Sequence, residues 1–490
     1  MPTDPEGGQT ASVLVDLAGV RRAFHIVGAA GGNMNTIASV LAAMGHRVSG
    51  SDQRPSPVLE RLELLGVHTF VGHEAANVGE VDAVAYSAAV PSDNVELAEA
   101  RRRGVPTVPR AGILAAICAT RRTLAVSGTH GKTTTTAMLA AILTEAGMKP
   151  SFMVGGELAG GRGGAYWGDG QWLVVEADES DGTFLGLPAE GALVTSIEAD
   201  HLDHFGDLAG LEAAFSRFLG QAPGPRVVCL DDPGVARLAE QWAGPALISY
   251  GEAATTGFHV REVELVAAGA SFSVVAAGQP LGRFHLSVPG RHNVQNAAGA
   301  LAMAVSVGCE PEAARAALAA YRNVARRFEL RGKAGGVTFV DDYAHNPGKV
   351  RAVLAAARLG GWRRVVAVFQ PHRYSRTSAL WEEFGRSFGD ADVVIVTSVY
   401  PAGEHPLPGV SGRLVADAVR AHAPSKKVHY VEDRAALVPC VRGVLRPGDL
   451  CLTMSAGDLT TLPDELLAEL AGEHAAPAPP PAPAVVEEVI

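Results

Sequence analysis

Cysteine and long apolar runs are both scarce in this chain of 490 residues. The five cysteines are scattered and form no C-x-x-C pair, which favours buried reduced thiols over a disulfide framework or a zinc site. No apolar run reaches the ~20 residues that a membrane-spanning helix needs. The first twenty residues lack the basic start and the apolar stretch of a secretory signal. We therefore expect a cytoplasmic protein with no membrane partner.

Positive charge is also in short supply, with 41 Lys and Arg against 52 Asp and Glu and a net charge of -11. A diffuse basic surface is what holds a protein on nucleic acid, so no nucleic-acid partner is expected. Local basic pockets for a small anionic molecule are compatible with this balance. Aromatic residues make up only 6% of the chain, whereas 47% of it is apolar and 56 residues are glycine. This composition is typical of an α/β enzyme.

The order of apolar patterns predicts several βαβ units. Short β-branched runs alternate with Ala- and Leu-rich stretches, which indicates mainly parallel sheets. We predict a Rossmann-like domain over residues 21–119, a central domain like the phosphate-loop ATPases over 120–326 and a second Rossmann-like domain over 327–472. Residues 1–20 are expected to form a flexible start, and residues 473–490 a Pro/Ala-rich tail without packed structure.

The segment AVSGTHGKTTTT, residues 125–136, has the parts of a phosphate-binding loop. An apolar strand leads into Gly128 and Gly131, and then into Lys132 and Thr133 at the start of a helix. Glycines let backbone N–H groups approach phosphate, a lysine reaches the terminal phosphates, and a threonine hydroxyl can bind Mg²⁺. The generic spacing would need its first glycine two residues earlier. A plain Gly-rich turn is the alternative, and the strand-to-helix context disfavours it.

Polar clusters follow the next two predicted strands, in residues 172–181 and 192–204. If these strands run parallel to the strand before the loop, their carboxyl ends meet at the same edge of the sheet. Glu176 and His201 are therefore candidate metal ligands. His201 and His204 could alternatively belong to a zinc site. The phosphate loop in the same part of the chain favours magnesium.

These motifs resemble the Mur ligases, ATP-dependent ligases of peptidoglycan precursor synthesis, which serve cell-wall growth, cell shape and cell division. The resemblance covers residues 23–465. Besides GTHGKT, the similar segments occur in this order: EADESD at 176–181, GRHNVQNAAGA at 290–300, RRFE at 326–329, DDYAHNP at 341–347, FQPHRYSRT at 369–377, VYPAGE at 399–404 and AGD at 456–458. The resemblance implies one domain each for a UDP-sugar, for ATP with Mg²⁺ and for an amino acid.

Three of these segments resemble the corresponding segments of the family members that join L-alanine to UDP-N-acetylmuramate. They are FQPHRYSRT, EADESD and VYPAGE. The resemblance implies that the lactyl carboxylate takes the γ-phosphate of ATP, and that the amine of L-alanine then displaces phosphate. We expect a monomer or a weak homodimer. Two alternatives stay open. One is a related ligase that attaches a whole peptide to the same sugar nucleotide, and the other is an inactive UDP-sugar-binding regulator.

The resemblance also implies a role for each matching residue. Catalytic roles fall to Lys132, Glu176, His201, Arg327, His345, His372 and Arg376. ATP would be bound by Gly128, Thr129, His130, Gly131, Lys132, Thr133, Thr134, His292, Asn296 and Arg327. The UDP-sugar would be bound by Gly28, Gly31, Ser51, Asp52, Ser87 and His130. The amino acid would be bound by Tyr343, His345, His372, Arg373 and Arg376. Magnesium would be bound by Thr133, Glu176 and His201.

Residues 25–52 also resemble a dinucleotide-binding strand, turn and helix, which would suggest an NAD-dependent enzyme. The fingerprint would need glycine where the chain has Ala30 and Asn33. In the Mur family the equivalent domain holds a UDP-sugar instead. Several residues depart from the family pattern, and they are Asn33, Asn35, Thr36, Asn346, Ser398 and Ser455.

Overall fold

The computed structural model describes residues 17, 19–87, 89–156, 158, 163–200, 202–253, 255–266, 268–322 and 324–473. Most of the predicted flexible start, the candidate ligand His201 and the tail from residue 474 onwards lie outside these residues. The chain divides into two compact units, Met1–Ala325 and Arg326–Ile490. None of the described helices is long and apolar enough to cross a lipid bilayer.

The first unit begins with a sheet of five parallel strands in the order β3-β2-β1-β4-β5. The strands are β1 (Ala23–Val27), β2 (Arg47–Asp52), β3 (His68–Val71), β4 (Ala83–Tyr86) and β5 (Thr107–Pro109). The helices between them are α1 (Gly32–Ala43), α2 (Pro57–Leu64), α3 (Val95–Arg102) and α4 (Arg110–Cys118). The strand order reverses beside β1, and ligands bind at the carboxyl ends of strands at such a reversal.

The same unit contains a sheet of ten strands in the order β15-β14-β13-β12-β11-β10-β6-β9-β7-β8. The strands are β6 (Arg122–Ser127), β7 (Ser151–Met153), β8 (Ala165–Tyr166), β9 (Trp172–Glu176), β10 (Gly191–Val194), β11 (Arg226–Cys229), β12 (Ile248–Gly251), β13 (Phe258–Val266), β14 (Gly269–Ala276) and β15 (Gln279–Leu286). The helices are α5 (Lys132–Glu145), α6 (Leu202–Phe205), α7 (Leu208–Gln221), α8 (Pro233–Glu240), α9 (Arg291–Ser306) and α10 (Pro311–Ala320).

Parallel pairing holds for the strands around β6, as the sequence predicts. Strands β13 to β15 instead form an antiparallel meander, which the sequence reading did not anticipate. Buried and exposed residues alternate along much of these strands, as expected for a sheet that is covered on one face only.

The second unit has a six-stranded sheet in the order β16-β17-β21-β18-β19-β20, parallel except for the pair of β16 and β17. The strands are β16 (Glu329–Ala334), β17 (Val337–Asp342), β18 (Arg364–Phe369), β19 (Val393–Thr397), β20 (Lys427–Val431) and β21 (Asp449–Met454). The helices are α11 (Pro347–Arg358), α12 (Tyr374–Gly385), α13 (Gly412–His422), α14 (Leu437–Val444) and α15 (Leu462–Glu473). The predicted α/β class with mainly parallel sheets is therefore confirmed.

Helix α9 packs closely against the central sheet at Gly299. A Cβ atom added there would lie 2.7 Å from Cζ and 2.8 Å from the hydroxyl of the buried Tyr250. Alanine gains up to about 1 kcal/mol over glycine inside a helix. Overpacking a well-filled core costs about 1 to 3 kcal/mol, so the clash should outweigh that gain.

We therefore expect Gly299→Ala to lower the unfolding temperature of the protein in calorimetry. Gly220 in α7 is the matched control, because a Cβ atom there would meet only Trp242 at 3.8 Å. The Gly220→Ala variant should be as stable as the original protein or slightly more stable. If both variants lost stability equally, close packing at Gly299 would not be the cause.

Candidate active site

The phosphate loop connects β6 to α5 through two glycines in left-handed backbone conformations. Gly128 has φ 131° and Gly131 has φ 80°. A Cβ atom at Gly128 would overlap Oγ1 of Thr195, and one at Gly131 would overlap Oδ1 of Asn296. Both positions therefore need glycine for their conformation and for their surroundings. The loop ends at the first turn of α5, where backbone N–H groups favour an anion.

The segment after β10 fixes the shape of this loop. The backbone N–H of Thr129 donates to the Ser196 carbonyl at 3.0 Å, and that of His130 donates to Ser196 Oγ at 2.8 Å. The Thr195 hydroxyl donates to the His130 carbonyl. The His130 side chain lies 2.9 Å from a carboxylate oxygen of Glu198. The sequence reading did not single out Thr195 and Ser196, although they lie in the motif that ends in the acidic cluster.

Lys132 is held among carboxylates. Its Nζ donates to the Gly128 carbonyl at 2.7 Å and lies 2.7 Å from an oxygen of Glu179, whose side chain is only 1% exposed. Burial acts to lower the pKa of Lys132, but the charges of Glu179, Asp178 and Glu176 together raise it. The lysine is therefore a permanent cation at the loop. Glu179, which no sequence argument assigned, is its carboxylate partner.

Two oxygen donors of the predicted magnesium site lie next to each other. The Thr133 hydroxyl donates to Glu176 Oε1 at 3.0 Å, and the backbone N–H of Gly155 donates to Oε2 at 2.7 Å. Strand β9 is parallel to β6, which brings Glu176 to the loop as the sequence predicts. Carboxylate and hydroxyl oxygens fit Mg²⁺, which fills its other positions with phosphate and water.

No three His, Cys, Asp or Glu side chains of the described residues converge as a metal site. The zinc alternative includes His201, so it stays a prediction, as does the magnesium site. The ring of His204 packs against Phe205 at a centroid distance of 4.7 Å. His201 lies outside the described residues.

Asn296, one of the residues predicted to bind ATP, lies on α9 next to Gly131 of the phosphate loop. Its Oδ1 accepts a hydrogen bond from the Thr135 hydroxyl at 3.2 Å, and its amide donates to Asn293 at 3.3 Å. His292 is half-buried in the first turn of the same helix. Thr134 is buried in the first turn of α5. Asn296 and Thr134 thus lie beside the phosphate loop.

Five of the six residues predicted to bind the UDP-sugar lie at the carboxyl ends of β1, β2 and β4, whereas the sixth, His130, lies in the phosphate loop. The N–H groups of Gly28 and Ala29 donate to the Ser51 carbonyl at 2.9 Å, and that of Ala30 donates to Asp52 at 3.0 Å. Gly31 closes the turn with a bond to the Gly28 carbonyl. Ser87 directly follows β4, which pairs with β1. In the first turn of α1, where the sequence departs from the family pattern, the Thr36 hydroxyl donates to the Asn33 carbonyl at 2.8 Å.

A buried carboxylate, which the sequence reading missed, supports this region. Glu96 accepts hydrogen bonds from Ser51 Oγ at 2.6 Å and from Asn77 Nδ2 at 2.7 Å, and His73 Nδ1 lies 3.0 Å from it. Burial raises the pKa of Glu96, but the hydrogen bonds from His25, Ser51 and Asn77 outweigh it and lower the pKa to about 2. In sequence, Glu96 looks like an ordinary exposed acid in a first helical turn. Its role depends on segments that are far away in the chain.

In the second unit, aromatic and imidazole rings form a continuous cluster. The rings of Tyr343 and His345 lie 5.0 Å apart, those of His345 and His372 lie 5.8 Å apart, and Tyr400 stacks on His372 at 5.6 Å. The His345 Nδ1–H group donates to the Tyr343 carbonyl at 2.7 Å. Arg376 Nη1 lies 3.4 Å from His372 Nδ1. This cluster therefore brings together four of the five residues predicted to bind the amino acid, which are Tyr343, His345, His372 and Arg376.

The two imidazoles of this cluster are neutral near pH 7. Burial, aided by Lys349 and Arg376, lowers the pKa of His345 well below its usual value. Burial, aided by Arg376 and Arg373, lowers the pKa of His372 to about 4. Neutral imidazole rings can accept a hydrogen bond from an ammonium group. Arg373, at the start of α12, has a left-handed backbone with φ 68°, and its N–H donates to the Tyr400 carbonyl at 2.8 Å.

Arg327 lies beside the same cluster. Its guanidinium is 5.2 Å from the centre of the Tyr343 ring. Its two neighbours have left-handed backbones, with φ 61° at Arg326 and 47° at Phe328. The N–H of Phe328 donates to Asp342 at 2.7 Å. Burial raises the pKa of Asp342 to about 6, against the opposing effect of Arg327. The second unit therefore holds Arg327, His345, His372 and Arg376, and the first holds Lys132 and Glu176.

Two departures from the family pattern have local roles. Asn346 caps α11, because its Oδ1 accepts the backbone N–H of Lys349 at 3.0 Å. The Ser455 hydroxyl donates to Gln370 at 2.7 Å and accepts the N–H of Gly457 at 2.7 Å. Nothing in the structure explains Ser398.

Three family models match successive parts of the chain. They are the Mur ligase family, catalytic domain at residues 23–122, the Mur ligase middle domain at 168–304 and the Mur ligase, glutamate ligase domain at 326–457.

Individual proteins are similar over almost the whole chain. A UDP-N-acetylmuramate–L-alanine ligase of Kineococcus radiotolerans is 46% identical over 473 residues, 95% of this chain and 99% of the relative. One of Pelotomaculum thermopropionicum is 43% identical over 452 residues, 92% of this chain and 98% of the relative. The crystal structure of a UDP-N-acetylmuramate-alanine ligase of Thermotoga maritima matches with a TM-score of 0.79 at 27% identity, covering 92% of this chain and 100% of that one. The chain belongs to the Mur ligase family.

Proposed function

We propose that this protein joins L-alanine to the lactyl carboxylate of UDP-N-acetylmuramate at the expense of ATP. The names of the relatives, which the chain covers almost end to end, support this reaction. The observation that carries it is the placing of Lys132 beside the Thr133 and Glu176 pair at a phosphate loop. The protein acts in the cytoplasm on small molecules, as a monomer or a weak homodimer.

In the first step, an oxygen of the carboxylate attacks the γ-phosphorus of ATP, the bond to the β-phosphate oxygen breaks, and ADP leaves. The carboxylate and the triphosphate are both negatively charged, so nearby cations are needed to lower the activation barrier of this step. Lys132 turns from Glu179 toward the terminal phosphates. Thr133 and Glu176 would hold Mg²⁺, which would supply further positive charge to the phosphates. Arg327 adds a guanidinium to the transferred phosphoryl group.

In the second step, the ammonium group of L-alanine loses a proton to the solvent and its nitrogen attacks the acyl carbon. Phosphate leaves with the electron pair of the broken C–O bond and takes up the second proton that the nitrogen loses. The second unit supplies the amino-acid pocket. Arg373 and Arg376 meet the carboxylate of L-alanine, because guanidinium groups bind carboxylates in a fork. Nε2 of the neutral His345 ring accepts a hydrogen bond from the amino group of L-alanine, since the Nδ1–H group of that ring already donates to the Tyr343 carbonyl. Tyr343 limits the space for the side chain to a methyl group.

The direct test of this reaction is product formation from UDP-N-acetylmuramate, ATP and single amino acids, followed by mass spectrometry. We expect the mass of the L-alanine adduct together with ADP and phosphate. A product with a peptide but not with L-alanine would instead identify the recycling type of ligase. Nucleotide binding without any product would identify an inactive regulator.

Lys132→Ala should lower kcat at least about 100-fold, because a preorganised cation is lost from the phosphate being transferred. The variant also leaves the buried Glu179 without its cation, so its unfolding temperature must be measured beside the rate. Lys427→Ala is the matched control, because Lys427 is exposed at the start of β20. Folded Lys132→Ala protein with an unchanged rate of phosphate release would contradict the proposed site.

Arg376→Ala should raise the KM for L-alanine about tenfold or more, because one guanidinium no longer meets the substrate carboxylate. ATP binding, measured directly by calorimetry, should change by less than about twofold. Arg386→Ala is the control, because Arg386 is exposed at the end of the same helix. Equal loss of alanine and ATP binding would refute the division of substrates between the two units.

A further inference from the structure

A small cavity in the first unit lies between the N-terminal sheet and the central sheet. Asn33 and Thr36 of α1 line one side, together with Arg110, the first residue of α4. Glu176 at the end of β9 and the following Asp178 line the other side. The cavity thus connects the helix that begins at the predicted sugar-nucleotide turn to the carboxylate that contacts Thr133.

Arg110 is the only cationic side chain among the described residues that line this cavity. Its side chain is 11% exposed, and its Nη2 donates to Asp181 at 2.7 Å and to Thr183 at 3.4 Å. Asp178 lies 4.0 Å from the same nitrogen. The Nε and Nη1 groups donate to no residue in the described part of the chain. The guanidinium is therefore fixed at one nitrogen and has donors left for a ligand.

The sugar nucleotide has to bring a carboxylate into this acidic part of the molecule. Glu176, Asp178 and Asp181 repel a further negative charge, and Lys132 is already committed to the phosphates of ATP in the proposed reaction. An arginine presents two parallel N–H groups that match a carboxylate, and partial burial strengthens that contact. Arg110 lines the cavity from the first turn of α4.

We propose that Arg110 binds the lactyl carboxylate of the sugar nucleotide and thereby selects the acceptor substrate. Asp181 and Thr183 hold the guanidinium at Nη2, and the carboxylate occupies the Nε and Nη1 side. UDP-N-acetylglucosamine has the same nucleotide and sugar but lacks the lactyl group, so it cannot use this contact. The inference rests on the proposed function, since it names the residue that recognises the reacting group.

A purely structural role makes a different prediction. The ion pair with Asp181 links α4 of the N-terminal sheet to the segment after β9. If Arg110 only joined these two parts, its loss would weaken the binding of both UDP-sugars to the same extent. If Arg110 binds the lactyl carboxylate, its loss should weaken only the binding of UDP-N-acetylmuramate, because UDP-N-acetylglucosamine has no such carboxylate.

The test measures the Kd of UDP-N-acetylmuramate and of UDP-N-acetylglucosamine by calorimetry for the full chain. In Arg110→Met, binding of UDP-N-acetylmuramate should weaken about tenfold or more, and binding of UDP-N-acetylglucosamine by less than about twofold. Arg110→Lys should keep part of the preference, because the charge is retained but the fork is lost. Arg122→Met is the matched control, since Arg122 pairs with Glu190 at 2.9 Å and does not line this cavity. It should leave both affinities unchanged.

Equal weakening of both nucleotides by Arg110→Met, or no change in either, would overturn the proposal. An unfolding temperature for each variant shows whether the protein is still folded, and Arg110→Lys repeats the comparison if Arg110→Met is not. Failure of the proposed function is seen separately, in the original protein. Suppose that this protein formed no L-alanine product while its preference for UDP-N-acetylmuramate over UDP-N-acetylglucosamine still depended on Arg110. In that case the proposed reaction would be wrong, and the proposed role of Arg110 would stand.

Discussion

The packing of the phosphate loop against two neighbouring elements is the constraint on which the rest of the site depends. Gly128 and Gly131 adopt left-handed conformations and leave no room for a Cβ atom beside Thr195 and Asn296. The loop therefore packs tightly against both the segment after β10 and the first turns of α9. This packing sets where α5 begins, and with it the positions of Lys132 and Thr133.

Charge is arranged differently in the two units. The first unit concentrates carboxylates at the carboxyl ends of its central strands and counters them with the buried cation Lys132. The second unit has the opposite balance around its cluster, where arginines surround two imidazoles that burial keeps neutral. In the proposed reaction, the phosphates and their metal ion meet the first arrangement, and an amino acid with its own carboxylate meets the second.

Sequence reasoning predicted the structure correctly where it depends on neighbours along the chain or on the pairing of parallel strands. The strand, glycine loop and helix at residues 125–136 are local, and parallel pairing of β6 with β9 brings Glu176 to Thr133. It failed where a role depends on distant segments. Glu96 bonds residues from β2 and from the loop after β3, and the meander β13 to β15 departs from the parallel pattern of its neighbours. Neither feature has a local signal.

The sequence by itself determined the family motifs, the α/β class and the candidate site residues of the two units, because these follow from residue type and spacing. Only the tertiary structure decided which charges are paired. It placed Glu179 on Lys132, fixed Arg110 by one nitrogen to Asp181, and surrounded His345 and His372 with cations in a buried cluster. The reason is physical. The strength of an interaction between charges and the pKa of an imidazole ring both depend on burial and on neighbours that the fold brings together.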